Sequence, residues 1–140
     1  MKLHAGGCHC GNLRYELRSA SAAAQLPRRA CQCSFCRAHG AVSTSDPQGT
    51  LHFTVRDPAS LLRYRFGLKL ADFLICGACG VYVAAQMREG DGAWAVLNVN
   101  TMDEVDAFAG PADSMDYGSE DAAARIARRK SRWTPVTAPA

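Results

Sequence analysis

The chain has 140 residues, of which 48% are hydrophobic and 21% charged, and its formal net charge is +3. That length suits one domain with a core of its own, the composition excludes a disordered chain, and the charge is too mild to indicate nucleic acid by itself. Residues 1–7 lack the apolar stretch of a secretory signal, and no apolar run is long enough to span a membrane, so a cytoplasmic, reducing setting without a membrane segment is expected.

Residues 12–18 alternate strictly, with Leu13, Tyr15 and Leu17 on one side and Arg14, Glu16 and Arg18 on the other, which predicts a half-buried strand. Residues 19–30, with a short alanine run and Pro27, read as a loop. Asp46-Pro-Gln-Gly49 is a turn, and alternation resumes over residues 50–56 through Leu51, Phe53 and Val55. Residues 61–66 form a further candidate strand. Residues 81–87 and 93–99 predict a hairpin turning at Glu89-Gly-Asp-Gly92. Short strands at this spacing indicate an all-β domain. The tail differs: Ser119, Glu120 and Asp121 suit a helix start, and Arg128, Arg129 and Lys130 suit its end, with Trp133 and Pro135 stopping it. The expected organisation is a domain over 1–110 and an extension over 111–140 with a short helix, part of the same domain or packed on it.

Seven cysteines fall in three clusters: Cys8-His-Cys10, Cys31-Gln-Cys33-Ser-Phe-Cys36 and Cys76-Gly-Ala-Cys79. An odd number in a reducing setting argues for metal rather than for a disulfide framework. A redox reading of the CxxC pairs lacks the βαβ context it needs. In a strand, residues two apart share a side, so Cys8 and Cys10 can aim at one ion, as can Cys31 and Cys33. Gly77 and Gly80 free the backbone of the third cluster, so that amides approach the sulfurs. Counting divides the thiols between two zinc ions. Cys8, Cys10, Cys76 and Cys79 make a closed structural site, and Cys31, Cys33 and Cys36 make a second site with one open position. His39 could close that position as a fourth ligand, but it is expected to be a loop histidine, and His4, His9 and His52 are expected to be ordinary strand or surface residues.

Three segments together resemble the glutathione-dependent formaldehyde-activating enzyme family, which also includes centromere protein V. They are Gly7-Cys-His-Cys-Gly11, Cys31-Gln-Cys-Ser-Phe-Cys-Arg37 with Gly40, and Phe73-Leu-Ile-Cys-Gly-Ala-Cys-Gly80. Asn98-Val-Asn-Thr-Met-Asp103 resembles the strand and turn that follow. The resemblance spans roughly residues 5–108 and leaves the last thirty or so outside. It implies an Mss4-like β-sheet fold held by zinc, with Cys8, Cys10, Cys76 and Cys79 on the structural ion and Cys31, Cys33 and Cys36 on the second. It also implies carbon–sulfur lyase chemistry, in which glutathione or a similar small thiol adds to formaldehyde or another small aldehyde.

Such a thiol carries carboxylates, for which arginine is the apt partner. Arg37, directly after the second cluster, is the best-placed candidate, ahead of Arg28, Arg29, Arg63 and Arg65. Asp72 is expected to face water, and Trp94 and Tyr82 to be core or rim residues. The alternative is a non-enzymatic, zinc-stabilised binding module that contacts nucleic acid or protein through the basic residues 125–132. Those charges also fit a plain helix C-terminus, and aromatic interleaving is absent apart from Trp133.

Overall fold

Alternation along the chain builds the first layer of the structure. In the computed structural model, which describes residues 1–108 and 110–140, β1 (Lys2–Gly7) pairs antiparallel with β2 (Leu13–Ser19). Leu13, Tyr15 and Leu17 of β2 are buried, while Glu16 and Arg18 face water. The chain then forms the short β3 (Arg29–Cys31), a six-residue helix α1 (Ser34–His39) and the two-residue β4 (Ser43–Thr44). After the Asp46–Gly49 turn, β5 (Thr50–Val55) pairs antiparallel with β2 and buries Leu51 and Phe53.

Four antiparallel strands follow in succession: β6 (Leu61–Tyr64), β7 (Asp72–Cys76), β8 (Tyr82–Glu89) and β9 (Gly92–Asn98). The β8–β9 hairpin closes through Gly90 and Asp91 between the paired Glu89 and Gly92, and Gly90 takes the positive φ of 57° that this tight turn requires. β7 shows no alternation because most of its residues are buried whichever face they occupy.

The chain ends with β10 (Asp113–Met115) beside β3, helix α2 (Ala122–Arg132) and β11 (Thr134–Ala138). The helix begins two residues later than the Ser119 start expected from sequence: Asp121 is the cap, its carboxylate accepting from the Ala124 amide at 2.8 Å. Trp133 does end the helix, and Pro135 lies within the strand that follows, β11. Val136 and Ala138 pair parallel with β5, and Thr134 and Pro135 pair antiparallel with β9. The last strand therefore joins the β1–β2–β5 layer to the β6–β9 layer.

Two apolar clusters flank the β6–β9 strands. One gathers Leu13, Leu17 and Leu51 with Leu74, Val83 and Leu97. The other gathers Phe73, Tyr82, Ala85, Met87 and Val96 with Trp133 and Ile126 of the C-terminal segment. Tyr82 reaches the second cluster because the β7–β8 register slips by one residue at Val83. Such a bulge turns the side chain before it to the other face. The architecture is all-β with a C-terminal helix.

Leu51 is fully buried where β5 meets both β2 and β11. Leu51→Ala should lower unfolding stability by roughly 2–5 kcal/mol. A urea midpoint unchanged from wild type would contradict this packing.

Candidate functional site

The first thiol cluster forms where two turns meet. Cys8 and Cys10 lie in the turn after β1, Cys76 ends β7, and Cys79 lies in the turn before β8. Their four sulfurs lie within 4.8 Å of one another. Cys8 Sγ is 3.8 Å from Cys10 Sγ, which is 3.6 Å from Cys76 Sγ. A tetrahedral ion with metal–sulfur bonds of about 2.3 Å needs sulfur–sulfur edges of about 3.8 Å, so these residues fit zinc. All seven cysteines are free thiols. A strand pleat does not align Cys8 with Cys10, as the sequence spacing suggested. Instead a turn aligns them, closed by the Gly11 amide on the Cys8 carbonyl at 3.2 Å. Amides at and beside these turns reach sulfur: Leu13 N–H, at the start of β2, donates to Cys8 Sγ at 3.3 Å and Cys79 N–H to Cys76 Sγ at 3.5 Å. Gly80, at a φ of 80°, completes the second turn.

The second cluster is local. Cys31 ends β3, Cys33 caps α1, and Cys36 lies in its first turn. The Cys36 amide donates to Cys33 Sγ at 3.4 Å. The three sulfurs again lie within 4.8 Å of one another, and no fourth histidine, cysteine or carboxylate joins them among the described residues. His39 is exposed and turns its ring to Phe35 and Tyr82, with centroids 4.5 and 5.4 Å away. A hydrogen bond from Cys36 brings the Cys31 thiol down to about 5. The same bond, burial and the Cys31 charge push Cys36 up. Burial and the neighbouring thiols hold Tyr82 as the neutral phenol.

This cluster opens on a cavity of about 180 Å³. Cys31, Cys33 and Cys36 form one wall, and Phe73, Tyr82 and Trp133 line it with apolar surface. Its cations are Arg29 from β3 and Arg125, Arg128 and Arg129 from α2. Arg37, the candidate favoured from sequence, is exposed on α1, and the cavity is lined without it. Arg63 and Arg65 both pair with Asp72, at 3.3 and 2.6 Å. That pairing is why Asp72 is buried rather than facing water. The cavity arginines of α2 stand at helical spacings of three and four, which place them on one face. That spacing was the signal available in sequence. Glu120 accepts from Arg125 Nε at 3.2 Å and from Arg128 Nε and Nη2 at 2.7 and 3.0 Å. The Arg128 guanidinium lies 3.6 Å from the Tyr117 ring centre, and that of Arg129 lies 4.6 Å from the Trp133 ring centre.

A family model described as glutathione-dependent formaldehyde-activating enzyme matches residues 3–116, which include all seven cysteines. The chain belongs to that family. A crystal structure of a Rhodobacter sphaeroides protein is similar to it, with 28% identity and a TM-score of 0.57, over 79% of this chain and 99% of that one. The Mss4-like β fold that the resemblance implied is the fold of this family member. Helix α2 and β11 lie beyond the matched segment. No helix among the described residues is long and apolar enough to cross a membrane.

The hydrogen bonds from Arg128 hold the Glu120 carboxyl below its ordinary value of 4.5, despite opposing desolvation. A lowered folded value means that the pair stabilises fully above about 4.5 and loses its effect as the pH falls through the folded value. Glu120→Gln should therefore cost about 1 kcal/mol at neutral pH, and the gap to wild type should shrink under acid. Paired urea denaturations at several pH values would check this, and a gap that does not narrow on acidification counts against the pairing.

Proposed function

We propose that the protein holds two zinc ions and works at the second as a carbon–sulfur lyase, joining a small thiol such as glutathione to a small aldehyde such as formaldehyde. Cys8, Cys10, Cys76 and Cys79 hold the structural ion, and Cys31, Cys33 and Cys36 hold the other. The observation that carries the reading is that the three-thiol cluster, with one tetrahedral position not taken by protein, is the one that faces a cavity. Family membership supports the same chemistry. Seven free thiols suit a reducing compartment, and the cytoplasm is the proposed location. On this reading residues 111–140 belong to the same domain as residues 1–110, because α2 supplies cavity cations and β11 pairs with β5 and β9.

In the forward direction the thiol sulfur bonds to the aldehyde carbon, the carbonyl electron pair moves to oxygen, and that oxygen gains the proton that the thiol loses. The product is a hydroxymethyl thioether, and the reverse step cleaves the same carbon–sulfur bond. When bound, zinc supplies a thiolate at neutral pH, where a free thiol with a pKa near 8.5 stays mostly protonated. The chain's own part is to place the reactants together and limit water. Phe73, Tyr82 and Trp133 give the cavity apolar walls.

Zinc per chain should be two, and zinc-edge X-ray absorption should show more sulfur coordination once glutathione is added. One ion, or two that ignore glutathione, would remove the basis for the reaction. Structural zinc in small domains contributes roughly 10–16 kcal/mol, as much as a typical domain's whole stability. Cys76→Ser should therefore abolish soluble folding, while Cys33→Ser should leave a folded protein with about one zinc fewer. Metal content and circular dichroism of the two variants separate these outcomes.

A further inference from the structure

Two tyrosines of the fold are almost wholly buried, and only one has its hydroxyl satisfied. Tyr15 is 1% exposed, and its hydroxyl pairs with Thr101 Oγ1 at 2.8 Å. Tyr82 is 3% exposed. Its backbone carbonyl accepts from Asn98 Nδ2 at 3.0 Å, yet its hydroxyl has no hydrogen-bond partner among the described residues. Nor is that hydroxyl sealed in: among the described residues, the one buried hydroxyl enclosed without a partner is that of Thr44. The space open to Tyr82 is the cavity, whose wall it forms together with Cys31, Cys33 and Cys36.

The surrounding rings explain why the hydroxyl is unmatched. Phe35 meets the Tyr82 ring edge-on, with centroids 5.0 Å apart and planes at 88°, and Phe73 lies 5.9 Å away at 30°. These rings fix the phenol in place and offer it no acceptor. Burial, and then the charges of Cys36, Cys33 and Cys31, push its ionisation well above the ordinary value, so its oxygen lies towards the thiols and keeps its proton. A hydroxyl withdrawn from water without a partner is destabilising, and phenylalanine would pack equally well against Phe35 and Phe73. The acceptor for this hydroxyl therefore comes from what enters the cavity. Other donors of the lining are less open. The unpartnered Nε and Nη1 of Arg129 and Nε of Arg29 are enclosed, and Arg125 and Arg128 are engaged by Glu120.

We propose that the Tyr82 hydroxyl is a catalytic group of the second cluster, donating a hydrogen bond to the aldehyde oxygen as the carbon–sulfur bond forms. The proposal rests on the lyase reading above and adds a residue to that same site. As sulfur attacks carbon, the carbonyl electron pair moves to oxygen, and a donor fixed in advance stabilises the charge that develops there. Tyr82 keeps its own proton. The thiol gives its proton to water, and the new alkoxide takes one back from water. In the reverse direction the same hydrogen bond stabilises the oxygen while the adduct loses that proton and the carbon–sulfur bond breaks.

Tyr82→Phe in the zinc-loaded full chain removes only the oxygen. Followed by NMR exchange between glutathione and formaldehyde, its kcat should fall by roughly 100-fold, with the KM for glutathione unchanged. An unchanged kcat overturns the proposal and leaves the lyase reading standing, whereas a wild-type protein that does not accelerate the exchange removes both. S-acetylglutathione gives a readout without turnover, because its carbonyl sits on the carbon bound to sulfur. The infrared carbonyl stretch of the bound thioester should lie at lower frequency in wild type than in Tyr82→Phe, and equal frequencies count against the hydrogen bond. Stability supplies a third readout. With no partner to lose, Tyr82→Phe should unfold at the same urea concentration as wild type or a higher one, while Tyr15→Phe should unfold at a lower one. A lowered midpoint for Tyr82→Phe would assign its hydroxyl a structural role and overturn the proposal.

Discussion

The cavity depends on backbone pairing at β11. Thr134 and Pro135 lie on β9, and Val136 and Ala138 lie on β5, so one short segment satisfies backbone groups on two strands that would otherwise present open edges. Side chains lock the junction. Thr134 is fully buried, and its Oγ1 accepts from the Asp46 amide at 2.8 Å. Asp46 in turn accepts from Ser19, and Ser45 donates to the Arg132 carbonyl at 2.7 Å. Together these contacts fix where α2 ends, and hence where its arginine face lies relative to Cys31, Cys33 and Cys36.

The two thiol clusters use the same residue type in different surroundings. The first joins segments far apart in the chain and satisfies all four positions of a tetrahedron with sulfur, which suits a structural role. The second sits within one strand–helix corner and supplies only three sulfurs. What faces the missing position then matters, and here it is an aromatic and cationic cavity. The bulge at Val83 belongs to the same construction, because it turns Tyr82 onto that side of the sheet.

Electrostatics around α2 are divided rather than uniform. Glu120 neutralises part of the arginine row and orients Arg125 and Arg128. Lys130 pairs with Glu89, and Arg129 stacks on Trp133. Burial lowers Arg129 to about 10, with the neighbouring Arg128 and Arg125 adding to the effect, so it remains a cation at neutral pH. Arg125, Arg128, Arg129 and Lys130 of the basic tail are therefore each engaged with the protein itself.

Local patterns made much of this protein legible. Alternation marked β2 and β5, the Gly90–Asp91 turn marked the β8–β9 hairpin, and charge order marked α2. Cysteine spacing marked both thiol groups, because ligand geometry limits which neighbours can share an ion. Segments without a local signature were not legible. The glycine-ended β1 pairs with β2 mainly through its backbone, β7 is buried too thoroughly to alternate, and β11 carries a proline. Only the tertiary structure decided which arginines face the second cluster. Arg37 is near Cys36 in sequence but exposed on α1, whereas Arg129 is more than ninety residues away and lines the cavity. The reason is physical: sequence spacing sets which residues share a helix face, but the surface that face meets is set by the long-range pairing of β11 with β5 and β9.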